Sequence, residues 1–153
     1  MYRLSSFAFA TMPMTAAAAI AVLGTGPGLP GAAAAQEAAT EALPSGTFSG
    51  SKGHKSSGGA SIVRLTDGRH ALKLEEDFRV TNGPDLRVYL SAASDPRSRS
   101  DVEGATYVDL GELMSAKGDQ LYPIPEGVDL AGVNSAVIWC RAFSVFFSAA
   151  PLQ

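Results

Sequence analysis

Cys140 is the residue of this sequence with the widest range of chemistry, since a thiolate can act as a nucleophile, a redox group or a metal ligand. It is the only cysteine in the chain, so it cannot form an internal disulfide. It is the last residue of the apolar run 136–140 and follows Trp139. Arg141 comes next, and its positive charge would favour the thiolate if the chain turned there. On a strand, Trp139 and Cys140 would point to opposite faces. A chemically used thiol, a disulfide between two chains and an inert, small buried hydrophobe all remain open.

The two histidines are further candidates for metal binding. His54 lies in the segment GSKGHKSSGG, which is typical of a loop, and His70 begins an alternating strand. A metal site needs about three or four ligands, and no ligand spacing in the sequence supplies them. If a metal binds, Cys140 and His54 are the residues expected to hold it; otherwise each histidine is an ordinary surface or core-edge residue.

The segment Asn82-Gly83-Pro84-Asp85 predicts a tight turn that leads into the next strand. Gly83 allows a positive φ, and the ring of Pro84 fixes the entry into the strand. Asn82 and Asp85 are expected to cap backbone amides, and both are candidate neighbours of a site.

Motifs of well-known enzyme classes do not occur in the sequence: there is no GxSxG, no HExxH and no phosphate-binding glycine loop. The acidic run Glu75-Glu76-Asp77 lacks the ligand series of a calcium loop and is interpreted as a solvated strand end. Hydrolysis and nucleotide-dependent chemistry therefore have no support in the sequence.

Short β-branched and aromatic runs alternate with turn residues from Gly46 onward, which predicts an all-β fold: a small antiparallel β-sandwich or a partly closed barrel. The clearest alternation is at 85–91, with Leu86, Val88 and Leu90 facing inward and Tyr89 outward. The continuous apolar run 136–140 indicates a strand buried on both faces. The other expected strands are 47–50, 60–65, 70–80, 107–110, 120–124 and 143–148, and 92–106 is expected to be a solvated loop.

The first 35 residues have the layout of a cleavable signal peptide: Arg3, an apolar run, Gly and Pro residues, and Ala33-Ala34-Ala35 before Gln36. Residues 36–45 are interpreted as a short polar tether and 46–153 as the domain. We therefore expect an exported protein, periplasmic or extracellular, without a membrane span after cleavage.

The charge balance excludes some partners. Loss of Arg3 with the signal would leave 11 of the 12 basic residues against 15 acidic ones, a formal charge of −4. The charges are interspersed and form no basic stripe, which argues against nucleic acid or anionic lipid as a partner.

Four strings carry a resemblance to a known family: HKSSGGASIVRLTDG, LKLEEDFRVTNGPDLRVYLS, YVDLGELMSAKGDQLYPIPEGVDL and VIWCRAFSVFFSAAPL. In this order they resemble the DM-thirteen domain family, from about Gly46 to Leu152. One departure is the segment LYPIP, where Pro123 cannot donate to a sheet ladder, so this strand should lie at an edge.

The resemblance implies an extracytoplasmic β domain in electron transfer, with a redox role centred on a cysteine that falls on Cys140. The family's histidine falls on His54, and its NGPD element on Asn82 to Asp85. The cysteine would act as a bare thiol or as ligand to haem or a small metal, and no cofactor is required by the sequence. The partner would be a redox protein or a cell-surface protein. The alternative is a non-catalytic extracytoplasmic binding or structural module with an inert cysteine.

Overall fold

The computed structural model describes residues 43–153, and the structural statements below concern that part of the chain. The predicted signal peptide and most of the predicted tether lie outside it. Strands make up 45% and helices 7%, which confirms the predicted all-β class. Two antiparallel sheets pack face to face without closing into a barrel, so the fold is a β-sandwich.

The strands, in chain order, are β1 (Ser45–Thr47), β2 (Ser49–Gly50), β3 (Ser56–Ser57), β4 (Gly59–Arg64), β5 (His70–Leu74), β6 (Arg79–Val80), β7 (Leu86–Ser91), β8 (Tyr107–Glu112), β9 (Gln120–Pro123), β10 (Ser135–Cys140) and β11 (Val145–Pro151). One sheet has the order β2-β11-β10-β7-β8, the other β1-β4-β5-β9, and β3 pairs with β6. A helix, α1 (Arg99–Glu103), and a 3-10 turn, Leu130–Gly132, complete the described elements.

Strand β10 is the centre of the larger sheet, since it pairs with β7 on one side and with β11 on the other. All six of its residues are buried, as the continuous apolar run predicts. On its inner face Ile138 and Cys140 join the main core between the sheets. On its outer face Val137 and Trp139 join a second, smaller cluster. The opposite orientation of Trp139 and Cys140 is therefore confirmed.

The second cluster exists because α1 covers the outer face of the larger sheet. Val102 of α1 is 1% exposed and packs in the same cluster as Tyr89 and Trp139. The prediction of a fully solvated loop over 92–106 is wrong at this point. Tyr89 does point to the outer face, but α1 covers that face and the residue is only 5% exposed.

Three other details differ from the sequence expectations. The segment 70–80 is two strands, because the chain turns at 75–77 between β5 and β6. Phe143 lies in the turn before β11 and is 69% exposed, so the strand predicted over 143–148 begins two residues later than expected. Ser45, the last residue of the predicted tether, is already part of β1 and pairs with Ser61.

The predicted edge position of the LYPIP segment is confirmed, since β9 ends the smaller sheet and contains Pro123. Within residues 43–153 there is no helix with the length and apolar character needed to cross a membrane.

Candidate functional site

Four segments, which consist of loops and the short strands β3 and β6, gather where β10 ends at Cys140. We call this region the Cys140 end: residues 51–57, 79–85, 113–118 and 141–144. Backbone hydrogen bonds tie each loop to a strand end or to a neighbouring loop. The amide of Leu113 donates to the carbonyl of Leu86 at 2.7 Å, and that of Arg141 to the carbonyl of Asp85 at 3.0 Å. The amide of Ser51 donates to the carbonyl of Phe147 at 2.9 Å.

The thiol of Cys140 is buried, with 1% of the residue exposed. Its sulfur donates a hydrogen bond to the carbonyl oxygen of Pro84 at 3.0 Å. Pro84 itself is exposed. A single residue of the 82–85 loop therefore provides the sulfur's hydrogen-bond acceptor on one side and faces solvent on the other.

Arg141 and Asp85 form an ion pair beside the thiol, with Nε and Oδ2 2.7 Å apart. The chain does turn after Cys140, as one sequence interpretation required, but the guanidinium is directed to the Asp85 carboxylate. The Arg141 side chain is 59% exposed, so most of its charge faces water. Asp85 also has a φ of 50°, the left-handed region that non-glycine residues seldom adopt.

Gly83 does not adopt the positive φ that glycine allows, since the positive φ of this loop belongs to Asp85. Glycine is needed at position 83 for space instead. A Cβ there would lie 2.7 Å from Cζ of Phe147 and 3.1 Å from Cδ2 of Leu86. The loop thus presses directly against the ring of Phe147, and no larger side chain fits without movement.

His54 lies on the Phe147 ring, with centroids 3.8 Å apart and planes at 16°. Its Nδ1 is buried and has no hydrogen-bond partner among the described residues. The structure thus brings His54 to the Cys140 end, where its ring contact is with Phe147, while the Cys140 sulfur bonds to Pro84. Asn82 is exposed in the same loop. His70 lies away from this region, at the start of β5 in the smaller sheet, where it pairs with Arg64 of β4.

Sequence reasoning did not identify Phe147 or the carbonyl of Pro84 as parts of the site. Phe147 is the extra residue of a β-bulge, since Ile138 pairs with Ser148 and Trp139 with Phe146. Phe147 lies in the main core and its neighbour Phe146 in the second cluster, as alternation along a strand requires. The bulge shifts the alternation after Phe147, so that Ala149 joins the second cluster. Strict alternation along the sequence cannot show a bulge, and backbone acceptors have no sequence signature.

Metal and haem ligation can be tested against these positions. Within residues 43–153 no three His, Cys, Asp or Glu side chains come together as a metal-binding group. Haem ligation needs open space over the sulfur for the macrocycle, whereas Cys140 is 1% exposed and packed in the core. Haem does not fit this arrangement.

Comparison with known proteins gives one match. The family model described as Electron transfer DM13 matches residues 47–152. No curated protein and no solved structure matches the chain. Since the family match covers well over half of the chain and includes every residue of the Cys140 end, the protein belongs to the Electron transfer DM13 family.

Proposed function

We propose that the chain is an exported electron-transfer domain whose redox group is the bare thiol of Cys140. The observation that carries the proposal is the hydrogen bond from the sulfur to Pro84, 3.0 Å long, under a residue that faces solvent. The family's description supplies the class of reaction. The single cysteine of the chain supplies the only thiol for it.

Access to the sulfur requires local movement of the 82–85 loop. Breaking the bond to Pro84 and lifting that residue would expose the sulfur without unfolding β10, which is paired on both sides. Local openings of this kind need less free energy than global unfolding. The loop is thus a cover, and the sandwich below it is the rigid support.

The reaction that suits one exposed thiol is exchange with a disulfide of a partner protein. The Cys140 thiol loses its proton to water, and the thiolate attacks one sulfur of the partner's disulfide. A mixed disulfide forms, the partner's disulfide breaks, and its second sulfur leaves as a thiolate that takes a proton from water. The partner is reduced at that sulfur as Cys140 is oxidised, so the electrons balance.

The test is the rate at which 4,4'-dithiodipyridine reacts with Cys140 in the folded protein. We expect labelling faster than the measured rate of global unfolding. Pro84→Gly should raise that rate, because glycine loosens the cover. Pro125→Gly, at another exposed proline, is the matched control and should leave it unchanged.

A thiol that reacts only at the rate of global unfolding would overturn the redox proposal. The alternative function, a binding or structural module with an inert cysteine, would then remain. The burial of Cys140 at 1% exposure is the observation that favours this alternative.

The proposed export depends on the first 35 residues, whose layout is that of a signal peptide. Protein recovered from outside the cytoplasm should begin at Gln36 or within a few residues of it. N-terminal sequencing checks this expectation, and exported protein that still begins at Met1 would contradict it.

A further inference from the structure

We propose that the Cys140 end is a docking surface for the acidic face of a redox partner protein. The redox character of the partner rests on the proposed function. The docking itself rests on the distribution of charge and of exposed apolar side chains over the described residues.

The unpaired cations of the domain are concentrated at the Cys140 end. Six Lys and Arg residues within 43–153 form ion pairs with carboxylates, and Arg64 also has an interaction partner. The remaining cations of this part of the chain, which have no carboxylate partner, are Lys52, Lys55, Arg79 and Lys117. Within residues 43–153 the uncompensated positive charge therefore lies on one side, in a chain whose net charge is −3.

The backbone connects these cations to the loop that covers the thiol. The amide of Thr81 donates to the carbonyl of Lys55 at 2.9 Å. Arg79 and Lys117 face each other in an antiparallel bridge. Residues 79–81 then continue directly into the 82–85 loop.

A groove of about 700 Å³ opens among these residues, and its lining includes His54, Lys55 and Arg79 but no carboxylate. Asp85, the acid within the Cys140 end, is paired with Arg141. Glu112 and Asp119 stand exposed just outside the 113–118 loop. The surface thus carries positive charge around the groove and charges of both signs at its margin.

Exposed apolar side chains complete the surface. Phe143 is 69% exposed and Met114 64%, the two highest values among the large exposed hydrophobic residues. Phe143 follows Cys140 in the turn to β11, and Met114 follows Leu113, whose amide bonds to Leu86. Exposed aromatic and Met side chains inside a charged rim are characteristic of protein interfaces.

An acidic protein partner is the occupant that this arrangement favours. The cations of the Cys140 end would attract it, and the acidic remainder of the domain would repel it. Such complementarity fixes the orientation of an encounter and raises its rate. The orientation brings the partner to Pro84, which is the residue directly over the thiol.

The experiment is a titration of the exported protein, labelled with nitrogen-15, with an acidic flavodoxin as probe. At low salt we expect amide shift changes concentrated in 51–57, 79–85, 113–118 and 141–144, lost at high salt because the charges are screened. A basic cytochrome c is the control of opposite charge and should leave these amides unchanged.

Two pairs of variants locate the surface. Lys117→Glu should weaken flavodoxin binding about tenfold, whereas Arg69→Glu, with the same charge change on the turn between β4 and β5, should not. Phe143→Ser should weaken binding as well, whereas Leu121→Ser, a 43% exposed residue of β9, should not.

Shift changes spread over the whole domain, or equal effects of both members of each variant pair, would overturn the proposal. Binding to vesicles with anionic lipid but not to flavodoxin would overturn it in favour of a membrane surface. Cys140→Ser separates the two proposals, because it removes the redox group and should leave the docking titration unchanged.

Discussion

The loop that covers the sulfur of Cys140 is held by two contacts. One is the hydrogen bond from this side chain of β10 to the backbone carbonyl of Pro84. The other is the close packing of Gly83 against the ring of Phe147. On the proposed function, access to the thiol therefore depends on residues that carry no chemistry of their own.

Gly83→Ala should destabilise the domain by about 1–3 kcal/mol, because the new methyl group overpacks the Phe147 ring. Phe147→Leu removes the ring atoms that the methyl group would meet. In the double variant the two losses should not add, and denaturant unfolding of all four proteins gives the coupling energy. Additive losses would show that the loop and the ring do not press on each other.

Asp85 combines a strained backbone with an exposed ion pair, and substitutions separate the two. Asp85→Asn keeps a residue that tolerates positive φ, so it should lose only the ion pair with Arg141, worth about 0–1 kcal/mol at this exposure. Asp85→Val should lose about 1–3 kcal/mol more, because a β-branched residue is strained at a φ of 50°. Urea unfolding measures both, and equal losses would contradict the assignment of strain.

At the scale of elements, the strands with a complete pattern could be predicted from sequence. Residues 86–91 and 136–140 follow the alternation and the apolar run that their positions in the sheet require. Elements that depend on distant partners could not be predicted. Helix α1 has only five residues and is fixed by the packing of Val102, and Phe143 is exposed because the strand begins two residues later, at Val145.

The same limit applies to the site. The cysteine, the histidine and the NGPD segment could be selected from residue type and from the family resemblance. Their contacts could not, because they depend on the packing of segments distant in sequence and on a backbone carbonyl. In particular, only the folded structure shows that Phe147 contacts both Gly83 and His54.

The smaller sheet contains a side-chain network that should make its stability depend on pH. The Lys73 ammonium, 2.6 Å from Glu75, and the hydroxyl of Ser61 together lower the pKa of the Glu75 carboxyl. A carboxyl with a lowered pKa stabilises the fold above its unfolded pKa, and this contribution disappears as the pH falls through the folded pKa.

Glu75→Gln should therefore be less stable than the parent at neutral pH, within about 1 kcal/mol for a pair this exposed. The difference should shrink towards zero as the solution becomes acidic. Thermal melts between neutral and acid pH measure it. Glu76→Gln, on the exposed neighbour, is the control; if it changed the pH dependence as much as Glu75→Gln, the network would not be the cause.

At the scale of the whole molecule, β10 is shared by both hydrophobic clusters. Its inner residues, with Cys140 last, fill the main core, and its outer residues, with Trp139 last, fill the cluster under α1. The two sides of the domain are thus connected through the backbone of one central strand. Loss of packing on either side should weaken the other.

This arrangement predicts one cooperative unfolding transition, which two probes can report separately. Trp139 is the only tryptophan of the chain, so fluorescence follows the outer cluster, while far-ultraviolet circular dichroism follows the strands of both sheets. Val102→Ala leaves a cavity under α1 and should cost on the order of 2 kcal/mol. It should shift both transitions to lower denaturant concentration by the same amount. If the fluorescence transition alone moved, α1 and its cluster would unfold independently, and the support for the thiol would come from the main core alone.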